Sequence, residues 1–145
     1  KGSFRYYYND MNEGAITQSR LRQDNVDPKE MFDIMPELKY ISLQSSVVYK
    51  TTFGAFGSDS FKTWLQERPN IDTLIITGTE TDYCVLSTVL AAIDEGYFVV
   101  IASDGISSSQ SNSNFAQLDY TFRRFDHQLM LDTSSNIIKA LGEDK

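Results

Sequence analysis

Cys84 is the residue whose type and place in this chain suit nucleophilic chemistry. It is the only cysteine among 145 residues, and it follows Leu74-Ile75-Ile76-Thr77-Gly78-Thr79-Glu80-Thr81-Asp82-Tyr83 directly. Leu74 to Thr77 is a β-branched apolar run of the kind that fills a strand buried on both faces. Glycine and small polar residues come next, and Asp82 is a candidate N-cap for an apolar helix running to Glu95. A thiol at the carboxyl end of a buried strand, in the first turn of a helix, meets unpaired backbone N–H groups and a dipole that favours an anion. In such a setting a thiolate becomes a nucleophile. The packing reading has equal standing, because free cysteines are among the most buried side chains and a lone one in an apolar helix is commonly core.

A cation near the thiol would stabilise its anion. Lys50 ends Ser46-Val47-Val48-Tyr49-Lys50, a run that predicts another strand. On position alone, a lysine at a strand end is a solvated charge. The segment from Thr51 to Gly57 predicts a loop carrying Phe53 and Phe56 between glycines. Those two rings and Tyr83 suit either a pocket wall or the core.

The elements that must hold these residues alternate between strand and helix. Phe4 to Tyr8 predicts a strand, ended by Asn9 to Gly14, and a polar excursion follows to Asn25. Asp27-Pro28-Lys29-Glu30 predicts a short helix that ends before Pro36, with Asp27 as N-cap. A second helix starts at Ser58 or Asp59, carries Phe61, Trp64 and Leu65 on one face and stops at Pro69-Asn70. In the helix after Cys84, Val85, Val89, Ala92 and Ile93 form an apolar stripe that Leu86 and Leu90 widen, and Gly96 suits a left-handed cap. Tyr97 to Ala102 predicts a strand, Ser103-Asp104-Gly105 a turn, and Ser107 to Asn114 a polar loop at the same sheet edge as Cys84. A helix with Phe115, Leu118, Tyr120 and Phe122 ends near Phe125, and a strand from His127 to Leu131 and a helix from Thr133 to Leu141 complete the chain. This alternation predicts a parallel sheet covered on both faces.

Composition narrows the function. With 41% hydrophobic residues the chain has enough apolar matter for one domain, residues 1–145. A single cysteine rules out an internal disulfide and makes a reduced, cytoplasmic setting the expectation. A net charge of −7 argues against nucleic acid as partner, and no apolar stretch approaches membrane-spanning length.

Lys50, Gly54-Ala55-Phe56-Gly57-Ser58-Asp59, Ile71 to Gly78, Thr81-Asp82-Tyr83-Cys84-Val85, Thr88, Ala91-Ala92, Gly96-Tyr97 and Ser103-Asp104 together resemble the isochorismatase-like cysteine hydrolase family. The likeness is strong from Val47 to about Ser109. It implies a three-layer α/β/α sandwich with a mostly parallel sheet and a catalytic set of cysteine, lysine and aspartate. Carried over, Cys84 is the nucleophile, and Lys50 the cation that stabilises its thiolate and positions the substrate. A non-proline cis peptide maps to Thr79–Glu80, and the amides of Glu80 and Cys84 to an oxyanion hole. Phe53, Phe56 and Tyr83 would shape the pocket around a small, flat or partly apolar molecule. Homodimers or homotetramers are also implied.

The family's aspartate belongs to a first strand ahead of the one matched to Phe4–Tyr8, so the domain is expected to be N-terminally incomplete and to lack that strand. Asp10 follows the matched strand and is no substitute. Nicotinamidases of this family hold a metal with an aspartate and histidines. With His127 as its one histidine, this chain is expected to bind no metal or other cofactor, and nicotinamide is disfavoured. Cys84 favours C–N hydrolysis of a small amide through a thioester. Isochorismatase activity, yielding 2,3-dihydroxy-dihydrobenzoate and pyruvate, and a non-catalytic oligomeric relative are the alternatives.

Overall fold

The apolar run after Asp72 forms the expected strand but not the expected burial on both faces: Leu74 and Ile76 are half-buried against the core, while Ile75, on the opposite face, is exposed. In the computed structural model, which describes residues 34, 36–43 and 45–142, β1 spans Thr73–Thr79. The chain divides between Thr52 and Phe53 into two compact units. In the first, α1 spans Pro36–Ser42. Here Pro36 opens a helix, whereas the sequence suggested that it limits one. At the first helical position its fixed φ suits the helix and its missing N–H costs nothing. The candidate strand Phe4–Tyr8 and the helix start at Asp27 lie outside the described residues. Residues 46–50 carry no regular secondary structure, with Val47 and Tyr49 exposed. Their β-branched and aromatic composition is not enough, because strand propensity is realised only against neighbours that bury the side chains.

The second unit builds the sheet. A 3₁₀ turn at Ala55–Gly57 leads into α2, Asp59–Gln66, whose N-cap Ser58 accepts from the amide of Phe61 at 3.4 Å. After β1 the chain makes a wide helical turn at Thr81–Val85 and continues as α3, Leu86–Asp94. Gly96 has φ +91°, so the chain leaves α3 through a left-handed residue where glycine lacks the steric penalty of a side chain. It returns as β2, Phe98–Ser107. Residues 111–125 are helical throughout, beginning with α4, Ser111–Ala116. Last come β3, Leu129–Asp132, and α5, Ser134–Gly142.

Among the described residues the three strands are parallel, in the order β1-β2-β3, with Ile76 opposite Ile101 and Ile101 opposite Leu131. Alternation along β2 sends its residues to two cores. Val99 and Ile101 pack with Val85, Val89 and Ala92 of the α3 side and with Phe122, while Val100 and Ala102 pack with Ile137 of α5. Helices therefore cover both faces, in the three layers that parallel strands require. The fold is α/β.

Ser103-Asp104-Gly105 does not turn the chain but lies inside β2. Pairing passes from Ile76–Ile101 to Gly78–Ile106, so Thr77 alone faces residues 102–105. The extra residues bulge, as turn-forming residues can do within a strand without ending it. A Cβ at Gly105 would lie 3.1 Å from that of Ala102, so the tight bulge favours glycine. Pairing then continues to Thr79–Ser107, and Ser108 and Ser109 follow directly. Among the described residues no helix is long and apolar enough to cross a membrane.

Candidate active site

Cys84 stands where β1 hands over to α3. The Thr79–Glu80 peptide bond is cis. Glu80, extended at φ −85° and ψ 138°, is the residue from which the helix starts. Its carbonyl accepts from the amides of Tyr83 at 3.2 Å and Val85 at 3.0 Å, and the amide of Leu86 donates to the carbonyls of Thr81 and Tyr83. The i to i−5 bond from Val85 to Glu80 marks a π-type turn, a form often found at functional sites. Asp82 sits inside this turn and is not the cap, because the helix starts two residues before it. Cys84 is half-buried, with Val85 and Thr81 buried beside it in sequence.

The segment after β2 braces the start of the turn, Glu80 to Asp82. Glu80 Oε2 accepts from the amide of Ser109 at 2.8 Å and its hydroxyl at 2.9 Å. Thr81, completely buried, donates its hydroxyl to Asn114 Oδ1 at 2.6 Å. Asp82 Oδ1 accepts from the Ser108 hydroxyl at 2.6 Å. From the other side, the Thr88 hydroxyl donates to the Cys84 carbonyl at 2.7 Å and accepts from the Ala55 amide at 3.0 Å. The residues around Cys84 are thus tied to two segments distant in sequence. The motif contains Thr88, but the expected polar loop at Ser107 to Asn114 is confined to residues 108–110, since Ser107 ends β2 and 111–114 are helical, and nothing local pairs Thr81 with Asn114 or Glu80 with Ser109.

The aromatics divide. Phe53 and Tyr83 pair at 5.7 Å between centroids, tilted by 34°, with Tyr83 exposed. Phe56 turns to the main core and meets Phe61 edge-on at 5.2 Å and Tyr97 at 6.0 Å. Gly54 permits the approach of this loop to α3, since a Cβ there would lie 2.8 Å from Ser87 Oγ and 3.2 Å from the Ser87 backbone. Lys50 belongs to the first unit, and its Nζ donates to the Thr52 carbonyl at 2.9 Å. The His127 side chain is almost wholly exposed, 3.9 Å from Asp126. Among the described residues no three His, Cys, Asp or Glu side chains are grouped to hold a metal ion. A separate concavity of about 290 Å³ lies against β3, lined by Phe122, Arg123, Asp126 and residues 129–131, and contains none of the candidate residues.

Residues 3–132 match the model of the Isochorismatase domain. The chain belongs to the isochorismatase family. It is 33% identical over 122 residues to isochorismatase domain-containing protein 2 of Xenopus laevis, covering 81% of this chain and 55% of that protein. An isochorismatase-like hydrolase from Alkaliphilus metalliredigens superposes with a TM-score of 0.61 at 27% identity, over 75% of this chain and 57% of that one. A nicotinamidase from Bacillus subtilis superposes with a TM-score of 0.59 at 26% identity, over 74% of this chain and 59% of the other. The chain spans about half the length of the relatives it matches. Cys84, with the turn that carries it, lies inside the matched region of the isochorismatase domain.

Proposed function

We propose that this isochorismatase-family chain belongs to a hydrolase of small carboxamides with Cys84 as nucleophile. The observation that carries the reading is the half-exposed Cys84 thiol at the carboxyl end of a parallel strand, in the first turn of the following helix. Its thiolate attacks the amide carbonyl, forming a C–S bond, and the charge passes to the carbonyl oxygen. Backbone amides of Glu80 and Cys84 receive that oxyanion. The C–N bond then breaks as the departing nitrogen takes up a proton, leaving a thioester that water cleaves to the acid and the free thiol. Phe53 and Tyr83 form a wall for a flat or partly apolar substrate. On this reading the enzyme works in the cytoplasm as a homodimer or homotetramer, without a cofactor.

A panel of small aromatic and aliphatic carboxamides, followed by release of ammonia or amine, tests the proposal. Turnover that Cys84→Ala abolishes while circular dichroism is unchanged supports it, and an unchanged rate in that variant sinks it. Nicotinamide belongs in the panel. The single histidine weighs against it, whereas the likeness to nicotinamidases favours it. The second reading, isochorismate hydrolysis, is favoured by the matched domain and would appear as pyruvate release.

A further inference from the structure

We propose that Asn114 is a positioning residue for the Cys84 turn, acting through the buried hydroxyl of Thr81; this rests on the reading of Cys84 as nucleophile. Thr81 is completely buried, and its hydroxyl reaches Asn114 Oδ1 at 2.6 Å across 33 residues of sequence. A buried hydroxyl without its partner is costly, so this pair fixes one arrangement of the turn. Thr81 opens the turn that carries Cys84 three residues later, and its own carbonyl accepts from Leu86. Any shift of Thr81 is therefore passed along the turn on which the sulfur is placed. On either side of it, Glu80 and Asp82 are held by Ser109 and Ser108. One segment following β2 thus grips three successive residues, and Asn114 provides its buried contact. Thiol reactions need the sulfur within a narrow approach geometry, so placement should appear in rate as well as in stability.

The test is the rate at which iodoacetamide alkylates Cys84 in the folded chain from pH 6 to 9, with thermal unfolding measured in parallel. Asn114→Ala and Thr81→Val are expected to slow alkylation about tenfold, as the loss of one buried hydrogen bond would allow. Thr81→Ser and Asn114→Asp, which keep the donor and the acceptor, are expected to stay near the wild-type rate. Wild-type alkylation rates in folded Asn114→Ala and Thr81→Val, even with lowered unfolding midpoints, would make the pair merely structural and overturn the inference. Should those two variants fail to fold, Asn114→Ser and Thr81→Ala replace them, with an expected slowing of about threefold; unchanged rates there overturn the inference equally. The two proposals fail separately. A wild-type chain inactive on every amide whose alkylation still slows in these variants loses the hydrolase reading alone. An active chain whose variants alkylate at the wild-type rate loses only the positioning role.

Discussion

The Thr88 hydroxyl donates to the backbone carbonyl of Cys84 at 2.7 Å, one helical turn ahead of it, and accepts from the amide of Ala55 at 3.0 Å. One side chain thus joins the loop that carries Phe53 to the turn that carries the thiol. Such back-bonding is usually a minor local feature of a helix, but here it closes a contact between segments 33 residues apart.

Thr88→Val should lower unfolding stability by about 1–3 kcal/mol, because the Ala55 amide loses its acceptor and the Cys84 carbonyl a donor. Thr88→Ser keeps both bonds and should recover most of that loss. Urea unfolding of the two variants beside the wild type checks this; equal midpoints for all three would contradict it.

Gly54→Ala should displace the loop at 53–57. The added methyl would lie 2.8 Å from Ser87 Oγ, which can rotate away, but also 3.2 Å from the Ser87 backbone, which cannot. We expect a stability loss of about 1–3 kcal/mol and a changed near-ultraviolet dichroism from the Phe53–Tyr83 pair. Both should persist in the double variant with Ser87→Ala, because the backbone contact remains.

Asp104 supplies a pH-dependent contribution. The amide of Ser134 at 2.7 Å, and then its hydroxyl at 2.8 Å, hold the Asp104 carboxyl below its ordinary value of 3.8. The folded chain therefore releases this proton more readily than the unfolded one. The stabilisation is complete above the unfolded value and disappears as pH falls through the lowered folded value. Asp104→Asn should melt below the wild type at pH 6, with the gap closing as pH falls below the ordinary value of 3.8 and through the lowered folded one. A gap independent of pH would contradict the assignment.

Phe122 is completely buried between the sheet and the α3 side, where it packs with Val89, Val99 and Ile101. Phe122→Ala should cost about 3–5 kcal/mol in urea unfolding. A cost near zero would mean that this core is not as tightly packed as the structure has it.

Much of this was legible in the sequence where the signal is local. The strand β1, the helix α3 with Val89 and Ala92 buried and the left-handed Gly96 each follow from a few adjacent residues, whereas burial depends on what packs alongside, and Ile75 and Leu90 are exposed. Residues 46–50 look like β1 in composition, yet strand formation depends on partners that composition cannot specify. Ser103-Asp104-Gly105 has the chemistry of a turn, but pairing on both sides carries the strand through it as a bulge. The candidate site divides likewise. Cys84, the peptide at Thr79–Glu80 and Thr88 are carried by one motif, whereas Asn114 meets Thr81 only after a strand and a helix have intervened.

The most direct test of the nucleophile is mass spectrometry of the full chain, acid-quenched during incubation with the carboxamide panel and then digested. An added acyl mass is expected on the peptide containing Cys84, disappearing as substrate is exhausted and absent from Cys84→Ala. Amide turnover with no adduct at Cys84, undiminished in Cys84→Ala, would contradict it.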